Sequence, residues 1–254
     1  MQSAAAGIWL TFSKNPAARS GLPKKQSLNT LPAQPTRHDR KNVEVIEIRP
    51  IEVKRAAVRI VGDTPLIMHA WSEKAKREML EKQMKTAKAK AKDAKNPIED
   101  FIRSMYWKTP MPTEMSQDGF EKAILEGAQF CFPVTAIKQA AISAAFRMGW
   151  AKDKMSMRGA FFIDGDDNQM VEIHSDAPVM REDMVKVGMG TADIRYRGEF
   201  RNWYADLVVS YNANGMYSLE QIVNIINAGG YACGIGEWRP ERDGQYGIFH
   251  VATK

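Results

Sequence analysis

The chain has 254 residues, 44% of them hydrophobic, with 36 Lys and Arg against 30 Asp and Glu, a net charge of +6 and a pI near 9.2. That length buries one sizeable core but leaves two full domains thin, and its apolar runs fall short of the roughly 18 residues that a membrane helix needs. Two cysteines without paired spacing exclude a disulfide framework, and the moderate basic excess favours a polyanionic partner, chiefly nucleic acid, for a cytoplasmic protein with reduced thiols.

Residues 1 to 38 hold no Asp or Glu and five Lys or Arg among Pro, Ser, Ala and Gln, so 1–42 is expected to be a disordered basic tail. A transit peptide shares that lack of acids but carries more Arg and less Pro. Residues 43–254 are expected to form a single α+β domain. Ile51 to Val61 alternates as a first strand, and Gly62-Asp63-Thr64-Pro65 turns the chain before Leu66-Ile67-Met68. From Ser72 to Lys95 the Lys, Ala, Glu and Met content favours helix, with too few apolar residues for a core position. Asn96-Pro97 is read as its end, followed by an irregular stretch through Pro110 and Pro112. The whole of about 72–115 is therefore expected as an exposed helical arm, with Lys82, Lys85, Lys88, Lys90, Lys92 and Lys95 either on a solvated helix or gripping a nucleic-acid backbone.

The next helix is expected over 134–149, where Ile137, Ala140, Ala141, Ala144, Ala145 and Met148 share one face. Gly159 to Ile163 and Gln169 to Ile173 flank Asp164-Gly165-Asp166-Asp167-Asn168, which predicts a β-hairpin. Strands follow over 195–203 and 204–211. Ser218-Leu219-Glu220-Gln221 is a capping box opening a helix over 218–228, with Ile222, Ile225 and Ile226 buried and Ala228-Gly229-Gly230 as its end. Gln245 to Val251 closes the domain as a strand. This succession predicts a ferredoxin-like, RRM-like antiparallel sheet with both helices on one face.

Chemistry-bearing motifs are few. Nothing matches a phosphate-binding loop, and Gly188 to Gly190 and Gly234 to Gly236 lack the third glycine of a dinucleotide fingerprint. His38, His69, His174 and His250 have no metal-ligand spacing, and the acidic turn at 164–168 has Gln169 and Ser175 where a calcium loop needs Gly and Glu. No metal, cofactor or catalytic group is assigned. Asp63 and His69, after the first strand, are the only acid–base candidates for a nuclease, and ordinary turn chemistry accounts for Asp63.

The basic residues point to binding. Arg195, Arg197, Arg201 and Trp203 share parity, so on one continuous strand they would project from one face and combine guanidinium groups with a ring for stacking a base; the alternative is a solvated sheet face with Trp203 turned under a neighbouring element. Further on, Gly229, Gly230, Gly234 and Gly236 precede Trp238, Arg239 and Arg242, and such glycine density lets a backbone approach a ligand closely.

A helix, a Gly-rich loop with a basic residue and the strand Gly244-Gln245-Tyr246-Gly247-Ile248-Phe249-His250-Val251 resemble the C-terminal part of the RAMP superfamily, the Cas7-like RNA-binding subunits of CRISPR effectors. Phe132 to Arg147 is similar to that family's proline-led helix with an internal Lys and a terminal Arg, though Val134-Thr135-Ala136 and Lys138-Gln139 replace its usual Gly-Ser-Ser and Lys-Gly steps. The chain's overall character also resembles bacteriophage-encoded proteins. The family resemblance implies stacked subunits holding single-stranded nucleic acid, with Lys138, Arg147, Arg239 and Arg242 as contacts and the 72–95 insertion reaching a neighbour. The leading expectation is a non-catalytic single-stranded nucleic-acid-binding protein (RNA or DNA) that oligomerises along the strand, with copies of itself as further partners and no membrane. An assembly protein binding other subunits, and a nuclease using Asp63 or His69, are the alternatives.

Overall fold

In chain order the elements are β1 (Val53–Gly62), β2 (Leu66–Met68), α1 (Glu73–Gln83), α2 (Pro97–Arg103), α3 (Gln117–Leu125), β3 (Phe130–Pro133), α4 (Val134–Arg147), α5 (Lys154–Arg158), β4 (Phe161–Asp164), β5 (Met170–Ile173), β6 (Val179–Val187), β7 (Thr191–Phe200), β8 (Tyr204–Asn212), α6 (Leu219–Ala232) and β9 (Phe249–Val251). The computed structural model describes residues 50–71, 73–85, 95–187 and 190–253. These fall within one unit, Arg49–Lys254. The 1–42 tail and Lys88, Lys90 and Lys92 of the expected arm lie outside the described residues.

The protein is α+β with antiparallel sheets. The central sheet has the order β4-β8-β1-β9, and each neighbouring pair is antiparallel. Followed along the chain, its strands and two long helices run β1-α4-β4-β8-α6-β9, a β-α-β-β-α-β succession. Alternation sets the faces: Val58, Ile60, Phe161, Ile163, Ala205, Leu207, Val209 and Phe249 are buried, while Arg55, Arg59, Phe162, Asp206, Val208 and His250 are exposed. The buried side joins α4 (Ile137, Ala141, Ala144, Ala145) and α6 (Ile222, Ile225, Ile226) in one core. A second sheet, β2-β7-β6, and a β3-β5 pair complete the unit.

Several expectations are corrected. Asn96-Pro97 starts a helix. Asn96 Oδ1 accepts from the Glu99 nitrogen at 3.2 Å, and Pro97 occupies the first turn, where its missing N–H costs nothing. That helix, α2, buries Phe101 and Ile102, and Met105 follows them into the core, so 97–105 is core and not part of an exposed arm. Residues 159–173 do not form a hairpin. Asp166 closes a local turn by accepting from the Asn168 and Met170 nitrogens, but β4 pairs with β8 and β5 with β3. The strand β6 has no counterpart among the expected elements.

The helix expected to end at Ala228-Gly229-Gly230 runs on to Ala232. Gly229 and Gly230 are helical packing residues and not loop hinges. A Cβ at Gly229 would stand 2.6 Å from the Ala141 nitrogen, and one at Gly230 would overlap the Phe249 carbonyl oxygen. Glycine there lets α6 press against both α4 and β9. The capping box is present as expected: Ser218 Oγ accepts from the Gln221 nitrogen, and the Gln221 side chain accepts from the Ser218 nitrogen.

Candidate nucleic-acid interface

The loop from Gly234 to Gly247 folds back on itself. Gly236 has φ of +80°, and a Cβ there would stand 2.5 Å from the Ile67 carbonyl oxygen, so the loop lies flat against β2. Gly234, also left-handed, lets the chain leave α6. Arg239 is extended ahead of Pro240, as its position before proline requires, and Pro240–Arg242 makes a single 3-10 turn. The loop is thus a fixed structure that presents side chains.

Two clefts border it. One, about 280 Å³, opens towards the first turns of α4 and is lined by His69, Tyr106, Thr135, Gln139 and Glu241 together with loop residues. The other, about 370 Å³, opens towards β6 and β7 and is lined by Val185, Arg197, Glu237, Trp238, Arg239 and Arg242. Glu237 and Arg239 line both.

The two segments carrying the family resemblance meet here. Glu241 accepts from Arg147 Nη2 at 3.3 Å through one oxygen and from Arg239 at 3.2 Å through the other. The last turn of α4 and the loop therefore share one carboxylate, with two guanidiniums around it. Arg239 also donates to the Gly236 carbonyl oxygen at 3.0 Å, which fixes its orientation. Arg242 is exposed, and among the described residues no ion pair holds it. Beside Arg147 in sequence, Phe146 and Trp150 are exposed, and the Lys154 ammonium lies 5.7 Å from the Phe146 ring centroid. Lys138 stands elsewhere, at the β4 edge, 4.1 Å from the Phe162 centroid; burial lowers its pKa.

On β6 and β7 the register puts Arg181, Asp183 and Val185 on one face with Arg195, Arg197 and Glu199, while Met180, Met184, Ile194 and Tyr196 take the other. Arg195 and Arg197 share a face as parity predicts, but the face is laced with acids. Arg195 pairs with Asp193 at 2.9 Å and Arg201 with Glu199 at 2.8 Å. Arg197 is buried, at 5% exposure. Trp203 does not belong to that face: β7 ends at Phe200, Asn202 takes φ of +49°, and Trp203 turns into the core at 1% exposure. Its indole nitrogen donates to the Thr64 carbonyl oxygen at 2.9 Å, so no base can stack on it. Parity holds only along a continuous strand, and the chain breaks between Arg197 and Trp203.

Sequence reasoning missed Asp183 and Glu237. Asp183 accepts from Arg181 Nε at 2.8 Å and from Arg197 Nη1 at 3.0 Å. Burial pushes its pKa up, but those hydrogen bonds prevail and hold it below the ordinary carboxyl range. Glu237 is likewise lowered, first by its contact with His69 at 3.3 Å and then, against burial, by the charges of Arg197 and Arg239. The two acid–base candidates are not brought into one pair: His69 contacts Glu237, whereas Asp63 contacts His250 at 2.7 Å. Among the described residues no group of His, Cys, Asp and Glu could hold a metal ion, and no helix is long and apolar enough to cross a membrane. Cys131 and Cys233 are buried and unpaired; burial raises the Cys131 pKa to about 11.

No family model and no curated protein matches the chain. Among solved structures it is similar to Cmr6 from Pyrococcus furiosus, with 9% identity over 80% of this chain and 100% of that one and a TM-score of 0.33. A likeness that distant carries no functional argument, so the function is read from this chain's own geometry.

Proposed function

We propose that this protein binds single-stranded nucleic acid without cleaving it, through the surface shared by the end of α4 and the 234–247 loop, and that copies assemble along the strand. In this reading the β1-α4-β4-β8-α6-β9 unit is a ferredoxin-like core of the Cas7-like kind, and the loop after α6 is its ligand-facing edge. The observation that carries the reading is the shared carboxylate of Glu241, which gathers Arg147 and Arg239 beside the exposed Arg242. Exposed Phe146, Trp150 and Trp238 supply rings near those cations in sequence. Guanidinium groups neutralise phosphates, and rings stack unpaired bases in a sequence-tolerant way.

Assembly has its own supporting feature. On the face of β6 and β7 that carries them, Met180, Met184 and Ile194 are exposed, and among the described residues β6 is an edge strand. An apolar strip beside an unpaired edge suits contact with a second copy.

Sedimentation of the protein with single-stranded oligonucleotides of increasing length tests both parts. Binding with more protomers on longer strands is expected. No complex with any oligonucleotide rejects the function, and one protomer per strand at every length rejects assembly along it.

A further inference from the structure

The cleft between the loop and the β6–β7 face holds a buried cation that the protein itself leaves half satisfied. Of the three nitrogens of Arg197, Nη1 donates to Asp183 Oδ2 at 3.0 Å, Nη2 stands 3.9 Å from Glu237 Oε2, beyond hydrogen-bonding distance, and Nε has no partner among the described residues. Buried polar groups are nearly always paired, and a buried charge held by one hydrogen bond is costly. Nor does Asp183 belong to Arg197 alone, because Arg181 Nε donates to the same carboxylate at 2.8 Å. Glu237, the acid that lines the cleft, is shared with His69. Three guanidiniums, those of Arg197, Arg239 and Arg242, therefore line a cleft whose acidic groups are already engaged.

Trp238 lies against the same cleft in an uncommon state. Its φ is +53°, a left-handed conformation that costs a bulky side chain about 1–3 kcal/mol and is kept only where the surroundings enforce it. They do so here: the Tyr246 nitrogen donates to the Trp238 carbonyl oxygen at 3.0 Å, and Gly244 packs on that carbonyl so closely that a Cβ there would overlap it. The ring remains 36% exposed.

We propose that this cleft is a one-nucleotide subsite, in which a phosphodiester pairs with the part of the Arg197 guanidinium that lines the cleft, with help from Arg242, and the attached base lies on Trp238. The inference rests on the nucleic-acid-binding reading above and adds to it a residue set on β6 and β7. Guanidinium geometry matches a phosphate through paired hydrogen bonds, and the ring offers a face that any base can use.

Titration of the full chain with a single-stranded oligonucleotide, uridine 5′-monophosphate and inorganic phosphate tests it, using Arg197→Lys, Trp238→Ala and, outside the cleft, Arg55→Ala. Arg197→Lys keeps the charge but loses the fork, and a rise in Kd of about tenfold is expected for oligonucleotide and monophosphate alike. Trp238→Ala is expected to weaken the nucleotide by about five- to a hundredfold and inorganic phosphate little. Arg55→Ala should change neither. In the unaltered protein the Arg197 Nε–H and Trp238 indole resonances should shift on adding the monophosphate, a readout that needs no variant to fold. Unshifted resonances, or oligonucleotide binding intact in Arg197→Lys and Trp238→Ala, overturn the subsite while leaving the wider function standing. Phosphate binding without oligonucleotide binding by the unaltered protein overturns both.

Discussion

Arg147, in the last turn of α4, lies 3.3 Å from Glu241 in the loop after α6, and this ion pair ties the ends of two distant segments into one basic surface. Because Arg147 and Glu241 are partly exposed, the pair itself adds little stability, about 0–1 kcal/mol. Its consequence is positional. Glu241→Ala is expected to leave the melting temperature nearly unchanged but to weaken oligonucleotide binding, because Arg147 and Arg239 are no longer held together. Thermal unfolding and anisotropy on the same variant check this; binding that is unchanged or stronger would show that the shared carboxylate does not organise the surface.

Gly229→Ala separates two physical effects of opposite sign. In an exposed helix the change would stabilise by about 0.5–1 kcal/mol. Here the new methyl would sit 2.6 Å from the Ala141 backbone nitrogen, and overpacking of about 1–3 kcal/mol in the destabilising direction is expected. Urea denaturation decides, and a stabilised variant would place α6 further from α4.

Much of the central unit is legible in the sequence because its signals are local. The alternation of β1, the small-residue face of α4 and the Ser218 capping box each sit within one element. What is not legible depends on long-range pairing or on what a local signal means in context. Pro97 punctuates the chain either as a stop or as a start, and only the burial of Phe101 and Ile102 shows which. Gly229 and Gly230 resemble a helix end until α4 is seen against them. The β6 strand reads as surface because Arg181, Glu182, Asp183 and Lys186 dominate it, although Asp183 is buried by its cation partners. The hairpin expected at 159–173 does not form for a similar reason: each half has a better partner far away, β8 for one and β3 for the other. At the site, Arg147, Arg239 and Arg242 are legible from the loop and helix; the acids that position them are not.

Asp183 gives the fold an acid-sensitive point. Its pKa is held below the ordinary 3.8, so its pairing contributes fully above that value and is lost as pH falls through the depressed folded value. Asp183→Ala leaves Arg197 buried without its partner and should cost about 3–5 kcal/mol at neutral pH. The difference in stability between the unaltered protein and Asp183→Ala should shrink below pH 3.8, as measured by denaturation across the acid range. A difference that stays constant with pH would mean that the carboxylate's charge is not what matters.

Trp203 in the core and Trp238 at the cleft are expected to behave oppositely. Trp203→Phe keeps most of the core volume but leaves the Thr64 carbonyl oxygen without its donor, a cost of about 1–3 kcal/mol. It should not alter nucleic-acid affinity while the protein is folded, whereas Trp238→Ala should. Paired melting and binding measurements check both, and weakened binding in a stable Trp203→Phe would restore the stacking role that burial denies it.

The central claim is tested most directly by the affinity for a single-stranded oligonucleotide over a salt series, for the unaltered protein and for the Arg239→Ala, Arg242→Ala double variant. Counterion release predicts a log–log slope close to the number of phosphates contacted, and the double variant should bind more weakly with a slope shallower by about two. Salt-independent affinity, or the same slope and affinity in the double variant, would contradict the loop as the nucleic-acid-binding surface.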